Sequence, residues 1–153
     1  MRHKCRALSI ICISIASLMV SLPAPAQTDA EEEVRQVVMD LAAAYGANDV
    51  EAYFSYFADD LTQWWPGRRV SREEYHTMWT QVVADGGGYT SVEVTDLTVQ
   101  VSPSGDAAVA SYLLKYTRRT PDRSSGAFQL SPTFFKRGGE WKIVHLHYSA
   151  PPS

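Results

Sequence analysis

His145 and His147 stand two residues apart in a run that alternates apolar and polar side chains, so on a strand both imidazoles project from one face. Paired imidazoles can begin a metal site or pass a proton at neutral pH. A catalytic zinc asks for three protein ligands, and the one other histidine past residue 26 is His76, with no His-x-x-x-His or Cys-x-x-Cys spacing to recruit it. The pair therefore reads as hydrogen-bonded pocket or interface histidines, with no metal. General-base work by His145 or His147 is the alternative. Trp64 and Trp65 are neighbours on a short strand, so one ring faces inward and the other outward or into a mouth; the spacing does not say which. Tyr112, Tyr116 and Gln129 alternate on middle strands, and Tyr148 follows the histidines; each offers an apolar body or a polar tip to a cavity. The candidate pocket is thus Trp64, Trp65, Tyr112, Tyr116, Gln129, His145, His147 and Tyr148. Asp59 and Asp60 fall between a helical run and a strand and read as solvated turn acids. No Gly-x-Ser-x-Gly, P-loop or dinucleotide fingerprint occurs, so no cofactor is expected.

The elements that must position these groups follow from period and punctuation. Thr28-Asp29 ahead of Glu31-Glu32-Glu33 forms a capping box, and Val34, Val37, Val38, Leu41, Ala44 and Tyr45 recur at helical spacing up to Gly46. Asn48 or Asp49 caps a short second helix carrying Val50, Tyr53, Phe54 and Phe57, ended by Ala58-Asp59-Asp60. Leu61 to Trp65 reads as a brief strand broken by Pro66-Gly67. Ser71 with Glu74 starts a third helix, with Tyr75, Met78, Trp79, Val82 and Val83 on one face, stopped by Gly86-Gly87-Gly88.

Beyond Gly88 the period becomes two. Val92 and Val94 share one parity while Leu97, Val99 and Val101 take the other, so a strand that keeps one face buried needs a β-bulge at Thr95-Asp96. Pro103 to Asp106 turns into a strand from Ala108 to Tyr116, and a polar loop runs from Thr117 to Gly126. Phe128 to Lys136 is the next strand, and Pro132 within it marks an edge or a bulge. Gly138-Gly139 closes a hairpin into a last strand, Trp141 to Ser149. The order is helix, helix, strand, helix, four strands: an α+β domain with antiparallel pairing, in which a bent sheet roofed by helices makes a cone with a ligand cavity at its open end.

That order, with Gly46-Ala47-Asn48-Asp49 between the first helices and Phe57-Ala58-Asp59-Asp60-Leu61 after the second, resembles the nuclear transport factor 2-like superfamily. The stretch from Arg137 to Pro151, with its Trp, His-x-His, Ser and Pro, resembles the closing strand of the calcium/calmodulin-dependent kinase II association domain and its bacterial stand-alone relatives; SnoaL-like polyketide cyclases share the superfamily. The likeness runs from about Glu32 to Pro151. It implies a cone-shaped curved sheet, and it leaves function open between binding, assembly and isomerase-type chemistry. The residues that isomerase-type members would place as base and oxyanion donors correspond here to Trp65, Leu41 and about Thr133, none of which can move a proton. The association domains' pocket arginines correspond to about Pro132 and Tyr148.

Composition sets the compartment and excludes some partners. Met1 to Arg6 is basic, Ala7 to Leu22 is apolar and uncharged, and Ala24-x-Ala26 offers a cleavage site, a secretory signal layout over residues 1–26. The expected product is one exported domain, residues 27–150, periplasmic or secreted, with a loose tail at 151–153 and no membrane attachment after cleavage. Both cysteines, Cys5 and Cys12, leave with the signal. The rest holds 11 basic against 17 acidic residues, a charge of −6, with no Lys/Arg cluster, which excludes nucleic acid as a partner. What fits is a small apolar or aromatic molecule, with homodimer or higher homo-oligomer assembly through the open sheet face.

Overall fold

The computed structural model describes residues 25–65, 67–119 and 123–150. The expected signal segment up to residue 24 and the tail 151–153 lie outside them. Three helices occupy the first half: α1 (Pro25–Ala47), α2 (Val50–Ser55) and α3 (Arg72–Ala84). The strands are β1 (Phe57–Trp65), β2 (Arg68–Val70), β3 (Tyr89–Val101), β4 (Ala107–Arg118), β5 (Ser125–Leu130), β6 (Thr133–Arg137), β7 (Glu140–Leu146) and β8 (Tyr148–Ser149). They form one curved sheet in the order β2-β1-β7-β6-β4-β5-β8, with β3 on the other side of β4.

Helix α1 starts at Pro25, ahead of the expected cap at Thr28-Asp29. Proline suits a first helical position because its missing N–H would have no partner there. Ala30, Val34, Val38, Leu41, Ala42 and Tyr45 are buried along one stripe, which lays the helix on the sheet. Asp49 is the cap of α2; its carboxylate accepts from the Ala52 N–H at 3.0 Å. Asn48 takes a different role. At φ +61° it turns the chain, and its amide accepts from Tyr89 N–H at 2.8 Å and donates to Tyr89 C=O at 2.9 Å. One side chain thereby pairs with a strand backbone and clasps the α1–α2 corner to β3. Phe57 was expected to close α2, yet it opens β1, so Asp59 and Asp60 lie within a strand instead of a turn. Asp60 is paired with Arg137 at 2.6 Å, which holds its carboxyl below the usual range.

The expectation of purely antiparallel pairing fails at one ladder. β1 runs parallel to β7, because the chain leaves α2 alongside the last long strand in the same direction and returns through α3 as a crossover. The short β2, absent from the sequence reading, folds back on β1. The expected bulge is present: the β3–β4 register slips between Thr95 and Thr98, and Asp96 has φ +56°. Pro132 splits the expected strand 128–136 into β5 and β6. It is buried, and its carbonyl accepts from Ala110 N–H at 3.1 Å, so β4 keeps its ladder across the break. The last strand is also split, at His147, with β7 against β1 and β6 and β8 against β5. Phe54, Phe134 and Ile143, all nearly inaccessible, form the centre of the core; each contributes about 1.5–3 kcal/mol by burial.

Candidate functional site

Between the helices and the curved sheet lies a cavity of about 240 Å³. Leu41, Ala42 and Tyr45 of α1 and Tyr53 of α2 form its floor, and Tyr75, Met78, Trp79 and Val82 of α3 form one wall. The sheet supplies Phe57, Trp65, Tyr89, Tyr112, Leu114, Phe128, Leu130, Leu146 and Tyr148. The helical members recur at three and four residues because that spacing puts them on one face, and the strand members alternate. No carboxylate, imidazole, lysine or arginine is among the lining residues.

Polar chemistry in the cavity is almost entirely phenolic. The Tyr45 and Tyr89 hydroxyls are 3.0 Å apart, and those of Tyr53 and Tyr75 are 2.9 Å apart. Their rings form a continuous aromatic layer: Tyr45 lies against Tyr53 at 4.7 Å, Trp79 at 4.9 Å and Tyr89 at 4.7 Å. Burial pushes the phenols of Tyr45, Tyr53 and Tyr75 well above the ordinary tyrosine value and raises Tyr89 as well, so all four remain O–H groups at neutral pH. Tyr112 is raised by burial alone, and its hydroxyl has no hydrogen-bond partner among the described residues. The indole N–H groups of Trp65 and Trp79 are buried and unpartnered too.

The structure brings Trp65, Tyr112 and Tyr148 of the expected pocket to this cavity. The other five stand elsewhere. Trp64 is 51% exposed on the outer face, with the Arg69 guanidinium 5.0 Å from its ring centre; adjacent strand residues cannot share a face, and it is Trp65 that turns in, edge-on to Tyr75 at 5.8 Å. Tyr116 shares the inward parity of Tyr112 but stacks on Phe128 at 4.7 Å, beyond the lining. Gln129 is exposed, because the β4–β5 register sets Phe128 and Leu130 opposite Leu114 and Tyr112 and leaves Gln129 the outer parity.

His145 and His147 are displaced by a bulge. In the β6–β7 ladder Thr133 faces His145 but Phe134 faces Ile143, so Val144 is an extra residue. Trp141 and Ile143 point inward before it; Leu146 and Tyr148 point inward after it. Both histidines therefore lie on the outer face, where the His145 Nδ1 is 2.9 Å from the Thr62 hydroxyl and His147 is exposed. The residues that sequence reasoning left out of the pocket, Tyr45, Tyr53, Tyr75 and Trp79, were legible as the apolar stripes of three helices. Their hydroxyl pairing was not, since it joins residues 44 and 22 positions apart.

The arrangement can exclude water, stack a flat ring and offer hydrogen bonds from neutral donors. Comparison with solved structures finds the same fold in a nuclear transport factor 2-like protein of unknown function from Pseudomonas putida, at 25% identity and TM-score 0.69 over 81% of this chain and 88% of that one. The association domain of calcium/calmodulin-dependent kinase II from C. elegans matches at 21% identity and TM-score 0.67, over 83% of this chain and all of that one. A ketosteroid isomerase-like protein from Erwinia carotovora matches at 18% identity and TM-score 0.66, over 82% and 98%. Comparison with curated protein sequences gives no match. The model of the SnoaL-like domain matches residues 34–153, which takes in every wall of the cavity, and the chain therefore belongs to the SnoaL-like domain family.

Proposed function

We propose that this chain is an exported binding domain whose cavity takes a small, largely apolar or aromatic molecule, and that it self-associates through the outer face of its sheet. The observation that carries the binding reading is the wall itself: a built, aromatic-lined space with no ionisable base or acid pointing into it. Proton transfer by His145 or His147 is disfavoured, because both rings lie across the sheet from the cavity and a base must reach the proton that it abstracts. Export rests on the basic and apolar segments before residue 26. Among the described residues no helix is long and apolar enough to cross a membrane. Self-association is supported by Trp64, Val109 and Phe135, each 38% exposed or more on the outer strand faces.

A thermal-shift screen tests the binding reading. Naphthalene-sized neutral compounds are expected to raise the melting temperature in a saturable way, as mass action requires of a ligand that binds only the folded state. Trp79→Ala should abolish the shift by removing a wall. A panel of such compounds that leaves the melting temperature unmoved defeats the reading. Light scattering on the same samples reads self-association, and a strictly monomeric particle defeats that part.

A further inference from the structure

The cavity's polar groups are unevenly satisfied. The Tyr45–Tyr89 and Tyr53–Tyr75 hydroxyls hold each other. The Tyr112 hydroxyl has no such partner, and it is set among Leu114, Phe128, Leu130 and Leu146, which offer it nothing. Buried polar groups are nearly always hydrogen-bonded, so a lone hydroxyl in an apolar wall marks a place where something else completes the bond. The unpartnered indole N–H groups of Trp65 and Trp79 are donors only. The lining contains no carboxylate, amide or imidazole to accept a proton from a ligand, and no cation to neutralise an anion. The wall is rich in donors and uncharged. Burial holds the Tyr112 phenol protonated far beyond neutral pH, so it remains a donor.

We propose that the cavity selects an uncharged ring compound bearing a hydrogen-bond acceptor, a carbonyl or ether oxygen, which receives the Tyr112 hydroxyl proton. This rests on the cavity being a binding site and adds the chemical class and the residue that sets it. An anion of the same shape is rejected because it would lose its hydration with no cation to replace it. A pure hydrocarbon of the same shape binds through burial alone and leaves the hydroxyl unpaired.

Three probes of near-equal size separate these cases: 2-acetylnaphthalene, 2-ethylnaphthalene and 2-naphthoate, titrated into the full chain and into Tyr112→Phe with tryptophan fluorescence as the readout. The ketone is expected to bind about three- to tenfold more tightly than the hydrocarbon, the range of one neutral hydrogen bond. In Y112F that advantage vanishes while the hydrocarbon's affinity stays within about twofold, which also shows that the variant's cavity is intact. The naphthoate binds at least about tenfold more weakly than the ketone at neutral pH. Equal affinities of ketone and hydrocarbon, an advantage that survives Y112F, or naphthoate binding as tightly as the ketone overturns the proposal and leaves the binding reading standing. Failure of all three probes to bind overturns both.

Discussion

Gln63 is the residue whose surroundings least match its chemistry. It is 1% exposed, between Leu61 and Trp65 on the inner face of β1, and neither end of its amide has a hydrogen-bond partner. An orphaned buried polar group costs about 1–3 kcal/mol, while an apolar side chain of similar shape avoids that cost. Gln63→Met is accordingly expected to raise stability by about 1 kcal/mol or more in urea titration; a loss of stability would mean that the amide has a partner in solution. At this scale the sequence was informative about residue type and poor at orientation. Tyr112 and Tyr148 were legible as pocket residues because aromatic side chains with inward strand parity have few other places to go. His145, His147 and Gln129 were misplaced because parity counts assume an uninterrupted ladder, and one extra residue, Val144, reverses everything after it.

The elements were read best where periodicity was long. All three helices and the β3 bulge follow from spacing alone, since a buried stripe and a parity slip are local properties. The parallel contact of β1 with β7 and the short β2 do not, because they depend on where distant segments meet. The same holds for the clasp in which Asn48 pairs with Tyr89 across 41 residues. That clasp makes a prediction about the glycines after α3. Gly88 has φ +97°, and a Cβ there would sit 1.9 Å from the Asn48 Oδ1, whereas Gly86, at φ +81°, has nothing within 4 Å of its Cβ direction. Gly86→Ala should cost only the backbone penalty of about 1 kcal/mol. Gly88→Ala should cost about 2 kcal/mol or more, since it also evicts the amide. Urea midpoints compare the two, and equal losses would remove the clasp from the account.

Over the whole molecule, the tyrosines tie cavity and stability together. Burial raises the folded-state values of Tyr45, Tyr53, Tyr75, Tyr89 and Tyr112 above the ordinary value near 10. In the unfolded chain these phenols ionise near pH ~10. Their contribution to stability is therefore complete below that pH and is lost as pH rises beyond it, where the unfolded state has released protons that the native state retains. An alkaline titration followed by phenolate absorbance and circular dichroism should show the more exposed tyrosines ionising first and the buried set ionising only as the ellipticity collapses. Smooth ionisation of all eight with the fold intact would show the cavity to be wet. Acid limits should be milder: Glu33, held below the usual carboxylate range by hydrogen bonds from Lys136 and Trp141, stabilises the fold above its unfolded value and loses that contribution only as pH falls through its depressed folded value.

The β1–β7 ladder has a further consequence for how the protein is made. Phe57 finds Ile143 and Thr62 finds His145 across more than eighty residues, so the sheet's middle stays unfilled until nearly the entire polypeptide has left the ribosome. The helices emerge first and carry tyrosines and tryptophans that have no strands to cover them. A nascent chain in that condition is slow to lock and exposes a sticky surface, which keeps it unfolded long enough to be threaded through a narrow channel and leaves it dependent on a chaperone until the final hairpin arrives.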